Sequence, residues 1–288
     1  MAAVAGGLLV CASAGAAHQG EPLCQDPTTR PFLELTTDEG RIDVRLLEDA
    51  APHAVRRLGR LVQGPLFHPE LVPDSGSVGL LDGSTFDLTR PRLEVATSGR
   101  APAELFEVPT EIDAVALGLD RELIATTAEA MDVMQLELLR EHQRRKPGGG
   151  ATGLLREWVD RFHASGSADF LVGTSRQRLN EALGYSYTPG LASRPAVRGA
   201  VALRPVATDR ASLRLSILLA DHPLLTGRWM VVGEVSHGLE VVDAISLKPL
   251  LAPPGYRTTS YVPRDPVTIR AAELVCRPTS GQTVLEAP

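Results

Sequence analysis

The texture of this sequence changes twice along its length, and that constrains its fold more than any other feature. Apolar and polar residues alternate near both ends, while apolar residues recur at helical spacing in the middle. Phe32 to Leu47 predicts a hairpin: the strand Phe32–Thr37, the turn Asp38-Glu39-Gly40, then Ile42, Val44 and Leu46 alternating with Arg41, Asp43 and Arg45. Pro52 opens a helix at a position where its missing N–H costs nothing. Val55, Leu58, Leu61 and Val62 face inward on that helix, with Arg56, Arg57 and Arg60 outward, and Gly64 ends it. Short apolar pieces follow at Leu71-Val72 and from Val78 to Leu81.

Past Phe86 the period changes. Residues 90–109 read as loop, and Glu111 to Arg145 predicts a helix with Leu119, Leu123, Ile124, Ala128, Met131, Met134 and Leu138 on one stripe. The basic run from Arg140 to Lys146 falls at its end, where positive charge complements the dipole, and Pro147-Gly148-Gly149-Gly150 breaks it. A second helix carries Leu154, Leu155, Trp158, Val159 and Phe162. A third starts after Thr174 or Ser175 and stops at Gly184. Alternation returns with Val201 and Leu203, Leu213 to Ala220, and Trp229 to Val235. Gly238 then starts a short helix, and Pro266 to Val275 reads as a closing strand. The organisation expected is a leader over 1–19, a strand-rich unit from 24–86 and 196–277, a helical insertion over 87–195, and a disordered tail over 278–288.

The net charge of -6 argues against a nucleic-acid partner, which would require a basic face. The seven histidines show neither H-x-x-x-H nor H-E-x-x-H spacing, so no metal is expected. Gly76-Ser77 and Gly166-Ser167 lack the G-x-S-x-G elbow, and the triple glycine is not followed by Gly-Lys-Ser/Thr, so neither a serine hydrolase nor a phosphate loop is indicated. No cofactor is called for. Met1 to Ala17 is uncharged and apolar and ends in A-x-A patterns, which reads as a signal peptide; the alternative is an Ala-rich disordered start. Export to the periplasm, envelope or medium is therefore expected, with a membrane link only if Cys11 is lipidated. Removing the leader leaves Cys24 and Cys276, an even pair flanking the first and last strands. If those strands pair antiparallel, the two thiols meet and a disulfide follows; otherwise they are unrelated buried thiols.

Two blocks resemble the cyclophilin family of peptidyl-prolyl cis-trans isomerases. The first is Phe32 to Ser84, with Glu48-Asp49-Ala50-Ala51-Pro52 leading into the helix. The second is Arg198 to Ile245. It contains Leu219-Ala220-Asp221-His222-Pro223-Leu224-Leu225-Thr226-Gly227-Arg228-Trp229, then Val231-Val232-Gly233-Glu234-Val235 and Gly238-Leu239-Glu240-Val241-Val242-Asp243. The family has a Trp-Leu-Asp-Gly-Lys-His turn, a Val-Phe-Gly-x-Val strand and Gly-Met-x-Val-Val-Asp in the same order. With the last strand, the blocks cover about half the chain. The resemblance implies a mainly β fold, a closed eight-stranded β-barrel with flanking helices, here interrupted by an α-helical insertion. It also implies a proline-containing peptide or protein segment as partner.

The family's chemistry lowers the barrier to rotation about an X–Pro bond, about 18–20 kcal/mol for peptide bonds generally, by aiming an arginine at the prolyl nitrogen. In an ungapped match that arginine falls on Pro73, the pocket aromatic on Val78, the adjacent methionine on Gly79 and the substrate-binding glutamine on Leu81. The family's Ala-Asn pair falls on Arg204 and Pro205, and its Gln-Phe-Phe on Arg214, Leu215 and Ser216. Its tryptophan falls on Leu224, and its histidine on Trp229. The substrate groove expected is Pro73, Val78, Leu81, Arg204, Pro205, Ser216, Leu224, Leu225 and Trp229. The cation, ring pocket and hydrogen bonds are all replaced, which implies weak isomerisation or none. Arg214 is the one group positioned to act as a relocated catalytic cation; its plain alternative is a solvated surface arginine. Trp229 either anchors a peptide at the groove edge or packs beneath the insertion.

Overall fold

The computed structural model describes residues 21–63, 69–72, 92–97, 107–145, 150–248, 250–251, 262–263 and 267–278; for 69–72, 92–97, 214, 250–251 and 262–263 it describes the backbone. The leader and the tail beyond Pro278 lie outside these residues, as do Pro73, Val78 and Leu81.

Alternation builds the first hairpin. Strand β1 (Thr29–Thr37) buries Leu33 and Leu35, and β2 (Gly40–Leu46) buries Ile42, Val44 and Leu46 on the same face. Thr37 locks the turn: its hydroxyl donates to the Gly40 carbonyl at 2.7 Å and accepts from the Glu39 N–H at 3.1 Å. Helix α1 (Pro52–Val62) begins with Pro52 and has no side-chain cap of its own. The carboxylate of Glu111, far along the chain, supplies one, accepting from the N–H groups of His53 at 3.0 Å and Ala54 at 2.8 Å. Negative charge at that end also complements the helix dipole.

The remaining strands are β3 (Pro69–Val72), β4 (Arg92–Thr97), β5 (Glu107–Pro109), β6 (Ala200–Ala207), β7 (Arg210–Leu218), β8 (Met230–His237), β9 (Leu250–Leu251), β10 (Val262–Pro263) and β11 (Ile269–Pro278). Eight of them form one curled antiparallel sheet in the order β11-β1-β2-β8-β6-β7-β4-β3, with β5 on a further stretch of β7; β9 and β10 pair separately. The closed barrel expected from sequence is not found. Cα atoms of β3 and β11 approach within 8 Å, but no ladder joins the two strands among the described residues. Strand β3 spans four residues and starts with a proline that cannot donate, which leaves little to complete a ladder. With its helices the fold is mixed α/β, where a mainly β one was expected.

Strands β4 and β5 lie within 87–195, in the stretch read as loop, yet both pair with β7 in the main sheet. The helices of this span run later, as α2 (Thr127–Val133), α3 (Leu139–Arg145), α4 (Gly153–Ser165) and α5 (Arg176–Ala182). The single helix predicted from Glu111 therefore starts at Thr127. Upstream, the Asp113 carboxylate captures the N–H groups of Val115 at 2.8 Å and Ala116 at 3.2 Å, making a turn that competes with helix. Between α2 and α3 the segment Met134–Leu138 is a π turn, closed by the Leu139 N–H on the Met134 carbonyl. The extra residue in this turn re-phases the helix. Ala130, Val133, Met134 and Leu138 are buried, while Leu123 and Ala128, expected on the same stripe, are exposed.

Two large cores and a smaller third cluster, around Leu225, result among the described residues. Leu33, Leu35, Ile42, Val201, Leu203, Leu213, Leu215 and Met230 fill the inner face of the sheet under α1 and α6 (Leu239–Ser246). Ile124, Met134, Leu138, Leu155, Trp158 and Leu179 form the core of the insertion. Gly238, ahead of α6, has φ +87°, and a Cβ there would stand 2.1 Å from the Arg41 carbonyl oxygen, so only glycine fits.

The pairing of β1 with β11 is antiparallel and sets Pro31 opposite Cys276. The Cys24–Cys276 disulfide is present, with a Cα–Cα distance of 5.8 Å across 252 residues of sequence. Beside it, Arg41 and Arg277 both bind Glu34 and Asp43, and Arg277 also stands over the Phe32 ring. Burial raises the Asp43 pKa, but the two guanidinium groups outweigh it and hold the carboxyl below its usual range. The Cys276→Ser variant is expected to lose about 2–5 kcal/mol in urea unfolding measured without reductant, and dithiothreitol should bring the parent to the same midpoint. An unchanged midpoint would show that the bond does not constrain the unfolded chain.

Candidate functional site

Along β7, Leu213, Leu215 and Ile217 enter the main core, so Ser216 and Leu218 lie on the other face. On that face β6 presents the small residues Ala200 and Ala202. A short 3₁₀ turn, Pro223–Leu225, descends onto them; Leu225 is buried there with Leu47, Ala50, Ala196, Leu218 and Val231, and Trp229 packs alongside. Alanines let the turn sit close, so this part of the face is filled by the protein's own side chains.

The residues predicted to line a groove separate accordingly. Ser216 is wholly buried, and its hydroxyl has no partner among the described residues. Arg204 is exposed near the end of β6, where ladder irregularities flank Pro205 because proline has no N–H to donate. Arg214 occupies the β7 backbone position two residues before Ser216. Leu224 is 41% exposed, Leu225 is buried and Trp229 is half-buried. The last three converge on one cleft.

That cleft has a volume of about 350 Å³ and lies between the 223–229 turn and the insertion. Leu224, Leu225, Arg228 and Trp229 form one wall; Leu136, Glu137, Arg140, Glu141 and Arg144 form the other, with Leu183, Tyr185 and Thr208 completing it. Trp229 thus lines a cavity whose opposite wall is helical.

A partly buried polar cluster centred on Asn180 holds the two walls together. The Arg228 guanidinium pairs with Glu137 and donates from Nε to Asn180 Oδ1 at 2.8 Å. Asn180, with no exposed surface, donates from Nδ2 to the Tyr187 hydroxyl at 2.9 Å, which donates to the Gly227 carbonyl at 3.1 Å. Arg176 binds Glu137 at 3.3 Å, and Glu122 and Glu129 each at 3.4 Å. Gly227 has φ +78°, and a Cβ there would meet Leu119 Cδ1 at 2.2 Å, so the turn and the insertion touch at the one residue able to allow it. Burial pushes the Tyr187 hydroxyl up to about 12. At Glu141 burial acts upward too, but hydrogen bonds from Arg144 and Arg145 prevail and hold the carboxyl below its usual range. Asp113, taken up by burial but down more strongly by backbone N–H groups, also accepts from Gly190 at 2.6 Å, tying the start of the insertion to its return.

Sequence reasoning missed Glu137, Asn180 and Tyr187. Asn180 carried a readable signal, being polar on the inward face of α5 beside Leu179. Among the described residues no group of three or more His, Cys, Asp or Glu is arranged to hold a metal ion, and no helix is long and apolar enough to cross a membrane.

No protein-family model matches the sequence, and no curated protein is detectably similar to it. Among solved structures, the chain is similar to a cyclophilin-type peptidyl-prolyl cis-trans isomerase of Cryptosporidium parvum, with 11% identity and a TM-score of 0.40, over 86% of this chain and 98% of that one. The same protein solved in the presence of the dipeptide Ala-Pro gives 11% identity and 0.40, over 85% and 98%. A cyclophilin from Hirschia baltica gives 13% identity and 0.39, over 88% and 84%. The similarity thus spans most of the chain at low sequence identity.

The raised hydroxyl pKa of Tyr187 gives a test of the clamp. Below pH about 10 both folded and unfolded states keep the phenol neutral; between there and about 12 the unfolded state ionises first, so stability falls as pH rises. Urea unfolding from pH 9 to 11.5 should show a steeper loss for the parent than for Tyr187→Phe. Parallel losses would mean that Tyr187 is not held in the buried hydrogen bond.

Proposed function

We propose that this chain is a divergent, exported cyclophilin-like protein that binds a peptide segment and accelerates proline isomerisation weakly or not at all. One observation carries the reading: the residue that the resemblance matches to the catalytic arginine is Pro73, which has no charge to aim at a prolyl nitrogen. The sheet adds support, because the face behind Ser216 is occupied by Leu225 and a bed of alanines. Leu224 and Trp229 instead border a cavity of the size that takes side chains. The disulfide is consistent with export to an oxidising compartment. The division into a discontinuous sheet unit and an inserted helical unit is supported by the separate cores of the sheet and of the helices from α2 to α5, although Val108 and Ile112 join the core of the sheet.

Two other readings each have an observation in their favour. Arg214 lies on the same strand as Ser216, two backbone positions before it, which favours residual isomerase or folding-chaperone activity through a relocated cation. The insertion has its own core and is fastened to the 223–229 turn, which favours a structural envelope role in which the insertion makes the contacts.

In a protease-coupled assay with an Ala-Pro-Phe peptide, the protein is expected to leave the isomerisation rate within about twofold of the uncatalysed reaction. Turnover at the level ordinary for cyclophilins would overturn the reading. Should a small acceleration appear, Arg214→Ala is expected to remove it; retention of that rate in the variant would eliminate Arg214 as its source.

A further inference from the structure

We propose that the cleft between the insertion and the 223–229 turn takes an acidic segment of a partner protein flanked by leucine-like side chains, with Arg140 receiving its carboxylate. The inference rests on the peptide-binding reading and names the ligand class for that site.

Charge bookkeeping inside the cleft identifies the chemistry. Five charged residues line it, and both carboxylates are already engaged: Glu137 by Arg228 and Arg176, Glu141 by Arg144 and Arg145. Arg140 is exposed on α3, and among the described residues no carboxylate meets it. Arg144 remains 71% exposed even while it binds Glu141. The lining is therefore net positive by one charge (three arginines against two glutamates), in a chain whose overall charge is -6. An acidic group is drawn to this spot in particular, whereas a basic segment would meet three guanidinium groups. Arginine's planar fork suits a carboxylate, which it can bind through two parallel N–H donors.

The apolar half of the recognition comes from the same walls. Leu136 on the helix and Leu224 on the turn are each 41% exposed, among the few large apolar side chains left open to solvent in the described residues. The indole of Trp229 lies between the polar cluster and the Leu225 core, offering a broad apolar surface with a polar tip. In an extended segment alternate side chains share one face, so a leucine, an acid and a second leucine two residues apart present apolar, anionic and apolar groups together.

The experiment uses the full chain and fluorescence anisotropy. The probe is fluorescein-labelled, C-terminally amidated Gly-Leu-Ser-Glu-Ser-Leu-Gly, with a twin carrying Gln for Glu, a twin carrying Lys, and a neutral peptide containing Ala-Ala-Pro-Phe. The Glu peptide is expected to bind about tenfold more tightly than its Gln twin, the difference expected from one charge-assisted hydrogen-bonded contact. Arg140→Glu should erase that preference and transfer it to the Lys twin, with an unchanged circular dichroism spectrum excluding misfolding. If the proline peptide binds but the Glu and Gln peptides bind alike, or Arg140→Glu leaves the preference intact, the acidic-ligand inference is overturned while the peptide-binding reading stands. If no peptide binds, both fall together.

Discussion

The contact on which the candidate site depends is the guanidinium of Arg228, held between Glu137 of the insertion and Asn180 at its inner face. With side chains 16% and 17% exposed, the pair gives up much of its hydration, which is costly. The geometry shows what the cost is offset against. Arg228 projects from the same turn that supplies Leu224 and Trp229, so the ion pair fixes two walls that come from segments distant in sequence. A hydrophobic contact would allow sliding; a fork bound to a carboxylate on one side and an amide on the other fixes the relative orientation as well. The Tyr187 hydroxyl continues the restraint into the backbone at Gly227.

On the outer face of the sheet, Ala200, Ala202 and Ala196 form a low floor on which Leu225 packs. What remains open is the rim, where Leu224 and Trp229 meet a helix that the family resemblance does not supply.

How legible the architecture was depended on how local its causes were. The hairpin of β1 and β2, the start of α1 at Pro52, the helices over α4 and α5, and the meeting of Cys24 with Cys276 all follow from short-range patterns or from one antiparallel pairing. The late start of α2 was hidden because it is decided by Asp113 capturing N–H groups from its own turn. Strand β4 was hidden by nearby prolines and by a partner, β7, more than a hundred residues away. The open sheet edge could not be read at all: closure depends on whether the four residues of β3 complete a ladder, and periodicity contains nothing on that point. Leu224, Leu225 and Trp229, which the resemblance names as groove residues, line the cleft together. Glu137 and Tyr187, ordinary in sequence, acquire their role only when the insertion docks.

The disulfide between β1's approach and the end of β11 has a mechanical consequence. Because Cys24 and Cys276 bracket nearly everything described, tension applied from outside the pair travels through one sulfur–sulfur linkage and bypasses the polypeptide between them. The sheet and the docked helices are thereby shielded from stretching, as a loop of rope is when its two ends are tied together.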